Sequence, residues 1–131
     1  MAFIGKTYKH EKDENFDGFV EALGISAERV ALFKSFKPTH QLKKDGDNYT
    51  MFSNNKDINF KSGVEFDTTA PGGSEHIKTV ITVDGNTSTQ VEKFDDGRII
   101  TFKREYSDDK LVVTITASFW DGTATRYYTV V

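Results

Sequence analysis

The chain has 131 residues, 37% hydrophobic and 28% charged, as expected of a single soluble domain over 1–131 with a real core. The absence of cysteine excludes disulfides and Cys-ligated metals, and a net charge of −3 with interspersed signs offers nucleic acid no surface. No apolar run approaches the ~20 residues of a membrane span, and the opening Met-Ala-Phe-Ile-Gly-Lys, followed by Tyr8, Lys9, His10 and Glu11, is not expected to act as a secretory signal, so a cytoplasmic location is expected. Eleven Phe imply substantial aromatic burial.

Residues 5–12 predict a first strand. From Asn15 the pattern changes: Phe16, Phe19, Val20 and Leu23 fall at i, i+3, i+4 and i+7, one face of a helix, with Asn15 as cap and Gly24 as the residue that ends it. A second helix starts at once, with Ser26 as N-cap and Ile25 placed to staple to Val30. Lys37-Pro38 stops it, because a residue before proline disfavours the α region.

The remainder reads as strands at 39–44, 48–53, 58–62, 64–69, 76–83, 87–94, 98–106, 110–119 and 123–131. Most are separated by turn residues that tolerate positive φ: Asp45-Gly46-Asp47, Pro71-Gly72-Gly73, Asp84-Gly85-Asn86, Asp95-Asp96-Gly97, Ser107-Asp108-Asp109 and Asp121-Gly122. About ten strands in meandering order curl into a closed or nearly closed barrel that encloses a cavity. The helical hairpin interrupts the meander once, so it is expected to cover an open end.

Three strands place polar residues on apolar faces. In 98–106, Arg104 shares a face with Ile100, Phe102 and Tyr106, while Thr101, Lys103 and Glu105 take the other. In 123–131, Arg126 and Tyr128 share a face with Ala124 and Val130; the opposite face, Thr125, Tyr127 and Thr129, is no more polar, so this strand alone leaves its direction open. A guanidinium beside a phenol is a ready receptor for a carboxylate. A buried, unpaired Arg costs several kcal/mol, so an inward Arg predicts cavity water or an anionic ligand. In the strand from Thr39, Leu42 marks the His40 face as inward, and either His40 or Gln41 is placed to add a donor. His10 and His76 have no second ligand at metal spacing and read as surface residues, and no metal site is expected. Enzyme signatures are lacking: there is no Cys nucleophile, no G-x-S-x-G and no phosphate-binding glycine loop before a helix.

The segments Phe3-Ile-Gly-Lys-Thr-Tyr8, Glu14-Asn-Phe-Asp17, Ala22-Leu-Gly24, Lys37-Pro38, Phe60-Lys-Ser-Gly63-Val-Glu65-Phe66, Thr101-Phe-Lys-Arg104 and Thr125-Arg126-Tyr127-Tyr128 together resemble the intracellular lipid-binding proteins, and among them the invertebrate, insect-like fatty-acid-binding proteins. The resemblance implies an all-β, ten-stranded antiparallel up-and-down barrel of two near-orthogonal sheets capped by a helix-turn-helix. It implies a non-enzymatic, cofactor-free, monomeric carrier of long-chain fatty acids, with transient membrane contact in which Lys34 and Lys37 are candidates; a carrier of a retinoic-acid-like retinoid is the alternative. Carried over, Arg126 and Tyr128 hold the ligand carboxylate, Arg104 acts directly or through water, and His40 reaches the head-group region. Phe16, Phe19, Val20, Leu23, Val30 and Phe33 form the lid side of the pocket, with Met51 and Ile115 as further pocket residues. The segment 54–57 is shorter than the equivalent turn of many relatives, and the hairpin around Trp120 is longer.

Overall fold

A computed structural model describes residues 3–35, 39–53, 56–69 and 75–131. Ten strands and two helices follow in the order β1 (Thr7–Glu14), α1 (Phe16–Ala22), α2 (Ala27–Ser35), β2 (Thr39–Asp45), β3 (Asn48–Ser53), β4 (Lys56–Lys61), β5 (Phe66–Thr69), β6 (His76–Asp84), β7 (Thr87–Phe94), β8 (Ile99–Tyr106), β9 (Lys110–Ala117) and β10 (Trp120–Val130). The expected stop at Lys37-Pro38 and the turns at Asn54-Asn55 and Pro71-Gly72-Gly73 lie outside the described residues.

Hydrogen bonding joins the strands into one antiparallel sheet of order β4-β3-β2-β1-β10-β9-β8-β7-β6-β5. The pairing of β1 with β10 wraps the meander into a nearly closed barrel whose two edges are β4 and β5. At the turn between those edges, Gly63 takes φ +79°, a conformation that an L side chain strains to adopt, and its N–H donates to the Ile81 carbonyl of β6.

Period-two alternation sends Tyr8, Leu42, Tyr49, Met51, Ile81, Tyr106, Leu111 and Ile115 into one core cluster. In β1 the alternation breaks. His10 pairs with Tyr128 and Lys12 with Tyr127, so Glu11 is an extra residue, a β-bulge, and Asp13 then stands opposite Arg126.

The lid differs from its sequence reading at one end. Ser26 caps α2 through Oγ, which accepts the Arg29 N–H at 3.3 Å, and Gly24 closes α1 with φ +66°. Asn15, however, makes no side-chain cap. It adopts a left-handed φ of 57°, and its Nδ2 donates instead to the Thr123 carbonyl of β10 at 3.2 Å. The side chain thereby fastens the lid to the barrel wall.

The last hairpin also turns earlier than expected. Residues 118 and 119 form the turn, and Asp121-Gly122 belongs to the irregular start of β10, where the register with β9 shifts between Trp120 and Ala124. The cause is the Trp120 indole, which packs on Phe19 at 5.9 Å, lies near Gly18 of α1, and covers Gly122, where a Cβ would collide with the ring. Glycine at 122 lets a large aromatic seam the helix to the strand.

Candidate functional site

Beneath the lid the barrel encloses a cavity of about 420 Å³, within the range of small-molecule pockets. Phe16, Phe19, Leu23 and Phe33 reach it from the lid, Met51 and Ile115 from the wall, and His40, Arg104, Arg126 and Tyr128 all line it. Val20 and Val30 do not. Val20 is fully buried in the core cluster and Val30 packs against that cluster, so both support the lid from behind. The helical period identified an apolar stripe, but part of that stripe faces neighbouring elements.

The inner faces follow the expected direction. Arg126 is 6% exposed and Arg104 8% exposed, and His40 is buried while Gln41 turns to donate to the Gly5 carbonyl at 2.7 Å. The two arginines differ in what surrounds them. Arg126 Nε donates to Asp13 Oδ1 at 2.8 Å, Nη2 lies 3.4 Å from Oδ2, and the guanidinium carbon stands 4.0 Å from the Phe16 ring centre. The inward charge thus meets an anion of its own chain, which periodicity alone did not provide. Arg104 lies over Phe102 at 5.7 Å, and its Nη1 is buried with no hydrogen-bond partner among the described residues.

Two chains of contacts hold this polar end in place. His10 is not a surface residue, since its side chain is only 6% exposed. Its Nε2 bonds Asp13 Oδ1 at 2.7 Å, and its ring meets Tyr128 edge-on at 5.5 Å. On the other side, His40 Nε2 and Tyr106 Oη share a hydrogen bond of 2.8 Å, and Tyr106 Oη continues to Ser88 Oγ at 3.3 Å. Phe3 stacks on Tyr106 with centroids 4.4 Å apart. Burial, assisted by the Arg104 guanidinium, holds His40 well below its ordinary pKa, so it is neutral at pH 7. Burial also raises the Tyr128 hydroxyl, which remains an O–H donor.

Several lining residues had escaped the sequence reading. On β7, Gln90 Nε2 donates to Glu92 Oε2 at 3.0 Å, and burial raises the Glu92 carboxyl. Alternation could have found them, because residues 88, 90 and 92 share the inner face of β7. At the lid edge, Arg29 of α2 grips Glu75 through Nη1 at 2.8 Å and Nη2 at 3.2 Å. No local signal predicts a contact across 46 positions. His76 is exposed, as expected, and sits between Asp67 at 2.8 Å and Asp95 at 3.1 Å, away from the cavity. Among the described residues no group of three His, Asp or Glu could hold a metal ion, and no helix is long and apolar enough to cross a membrane.

An enclosed apolar pocket with cationic and phenolic donors at one end can take up an amphipathic anion. Residues 1–117 match the profile of the lipocalin / cytosolic fatty-acid binding protein family. Fatty acid-binding protein 1 of Manduca sexta is 51% identical over 132 aligned positions, covering 98% of each chain. The solved structure of a fatty-acid-binding protein isolated from the same organism superposes with a TM-score of 0.87 at 45% identity, covering 97% of this chain and 98% of that one. A Schistosoma mansoni fatty acid binding protein solved in complex with arachidonic acid superposes with a TM-score of 0.84 at 30% identity, covering 99% and 96%.

Proposed function

The chain belongs to the lipocalin / cytosolic fatty-acid binding protein family, and from that premise we propose that it is a carrier of long-chain fatty acids. The acyl chain occupies the apolar cavity under Phe16, Phe19, Leu23 and Phe33, and the carboxylate lies among Arg104, Tyr128, Arg126 and His40. The observation that carries this reading is the buried Arg104 Nη1, an N–H donor of a charged group that lines the cavity without a partner among the described residues. A carboxylate supplies both the missing acceptor and the missing charge.

The magnitudes fit. Burying a sixteen-carbon chain contributes roughly 12 kcal/mol at ~0.8 kcal/mol per CH2. Association and chain ordering remove about 4 kcal/mol or more. The balance corresponds to roughly micromolar binding from the apolar part alone, which leaves the head-group contacts to set chemical preference. The reading carries with it a cytoplasmic monomer that meets membranes transiently at its lid, where Leu32 of α2 is 41% exposed and Lys34 follows on the same helix.

The test is to extract the purified protein with organic solvent for mass spectrometry, then titrate the delipidated protein with hexadecanoic acid, its methyl ester and retinoic acid. Co-purified fatty acids and tightest binding of hexadecanoic acid are expected. Preference for retinoic acid would move the protein to a retinoid carrier, and turnover of any of these lipids would overturn the carrier role.

A further inference from the structure

We propose that Gln90 and Glu92 form a second polar subsite in the cavity, which binds a hydroxyl group a few carbons from the carboxylate, so that the preferred cargo is a β-hydroxylated long-chain acid. The inference rests on the carrier reading above and specifies its cargo.

Ser88, Gln90 and Glu92 follow one another at every second position on the inner face of β7. Ser88 and Gln90 are buried, and Gln90 and Glu92 line the cavity directly. Gln90 uses its amide N–H on Glu92 Oε2, but its carbonyl Oε1 is buried with no partner among the described residues. Among the described residues the cavity is thus lined by unmatched groups of opposite kind, Arg104 Nη1, a donor, and Gln90 Oε1, an acceptor.

A plain fatty acid answers only one of them. Its carboxylate has no proton to give, and a methylene has none that hydrogen-bonds, so docking a saturated chain leaves Gln90 Oε1 against hydrocarbon. An unmade bond at a buried acceptor penalises such a ligand, and a site built around it discriminates strongly for the ligand that completes it. A hydroxyl donates to Gln90 Oε1, beside Glu92, which already accepts from the Gln90 amide and whose carboxyl burial raises.

Register sets where on the chain that hydroxyl belongs. Ser88 stands directly opposite Arg104, so Gln90 is the diagonal neighbour of Arg104 on the same face, about 7–8 Å away between α-carbons. Glu92 pairs with Thr79, whose hydroxyl is occupied by Thr68 at 2.9 Å. One inner position further, Ile77 faces Phe94, a pair of apolar side chains. A hydroxyl near the head group meets this polar strip, whereas one at the far end of the chain is desolvated without reaching it.

The experiment is calorimetric titration of the delipidated full-length protein with hexadecanoic acid, β-hydroxyhexadecanoic acid and ω-hydroxyhexadecanoic acid. The β-hydroxy acid is expected to bind about tenfold more tightly than the plain acid and the ω-hydroxy acid more weakly than either. In Gln90→Met, which keeps volume and removes the acceptor, the affinity ratio of β-hydroxy to plain acid should fall to about one. Equal binding of those two acids by the wild-type protein overturns the subsite while leaving the carrier intact, and so does a ratio that survives Gln90→Met. The wild-type ratio stands as a test even if that variant does not fold. Failure of all three acids to bind overturns the carrier reading and the subsite together.

Discussion

Asp13 and Arg126 face each other across neighbouring strands, with the carboxylate Oδ1 2.8 Å from the guanidinium Nε. A ligand carboxylate that approaches Arg126 therefore competes with a carboxylate of the chain itself. Asp13→Asn is expected to lower the melting temperature of the ligand-free protein, with a loss of about 1–3 kcal/mol. That is less than the 3–5 kcal/mol of a fully buried broken pair, because the Asp13 side chain is 26% exposed. Hexadecanoic acid should then bind more tightly than to the wild type and raise the melting temperature further. Calorimetry on both proteins decides the point: unchanged affinity would show that Asp13 does not compete.

Arg104 is in the opposite situation, since its Nη1 has no partner among the described residues. Arg104→Met should weaken hexadecanoic acid by about tenfold or more and change its methyl ester by less than about twofold. The ligand-free protein should keep or gain stability, because an unmatched buried donor has been removed. Arg126→Ala should also weaken the acid, by more than ~1 kcal/mol, but it takes the guanidinium from Asp13, leaving it His10, and so should lower the melting temperature. Paired titration and melting curves separate the two arginines. Equal losses for acid and ester in Arg104→Met would contradict its head-group role.

The Arg29–Glu75 fork ties α2 to the barrel rim. It holds the Glu75 carboxyl below the usual range, chiefly through the Arg29 hydrogen bond. The depressed carboxyl stabilises the closed lid above its ordinary pKa of about 4.5, and this contribution is lost as the pH falls below that value. Glu75→Gln should therefore speed ligand release at neutral pH by about two- to fivefold, as expected of a partly exposed pair. Stopped-flow release kinetics should show wild type and variant converging in acid. Equal rates at neutral pH would remove the latch from the exchange pathway.

His40 makes the interior sensitive to pH. Its folded pKa lies well below the ordinary 6.5, so between the two values the unfolded chain binds the extra proton. Stability should be full above about pH 6.5 and decline as the pH falls through that window. His40→Gln should flatten the decline. Denaturant midpoints from pH 7 to pH 5 test this, and parallel slopes for wild type and variant would assign the proton elsewhere.

What was legible in the sequence was what local chemistry decides. The turn residues and alternation gave the strands, and Ser26 and Gly24 marked helix ends whose bonds close within a few residues. Asn15 defied that logic because its side chain answers to Thr123, 108 positions away. Trp120 moved the last turn for a similar reason, since its ring seats on Gly18 of a helix at the other end of the chain. The inward placement of His40, Arg104, Arg126 and Tyr128 followed from alternation and resemblance, but their pairings did not. Asp13 belongs to a strand 113 positions from the Arg126 it serves, and it does not stand out in its own segment.

The extra residue in β1 sets the sign of the charge that Arg126 meets. Were Glu11 paired in register opposite Tyr127, with no bulge, every residue beyond His10 would shift by one position and Lys12 would take the place Asp13 now holds opposite Arg126. The polar end of the pocket would then contain two abutting cations. A single backbone irregularity thus decides whether this corner of the barrel is a neutral pair or a strongly basic well, without any change in the residues that line it.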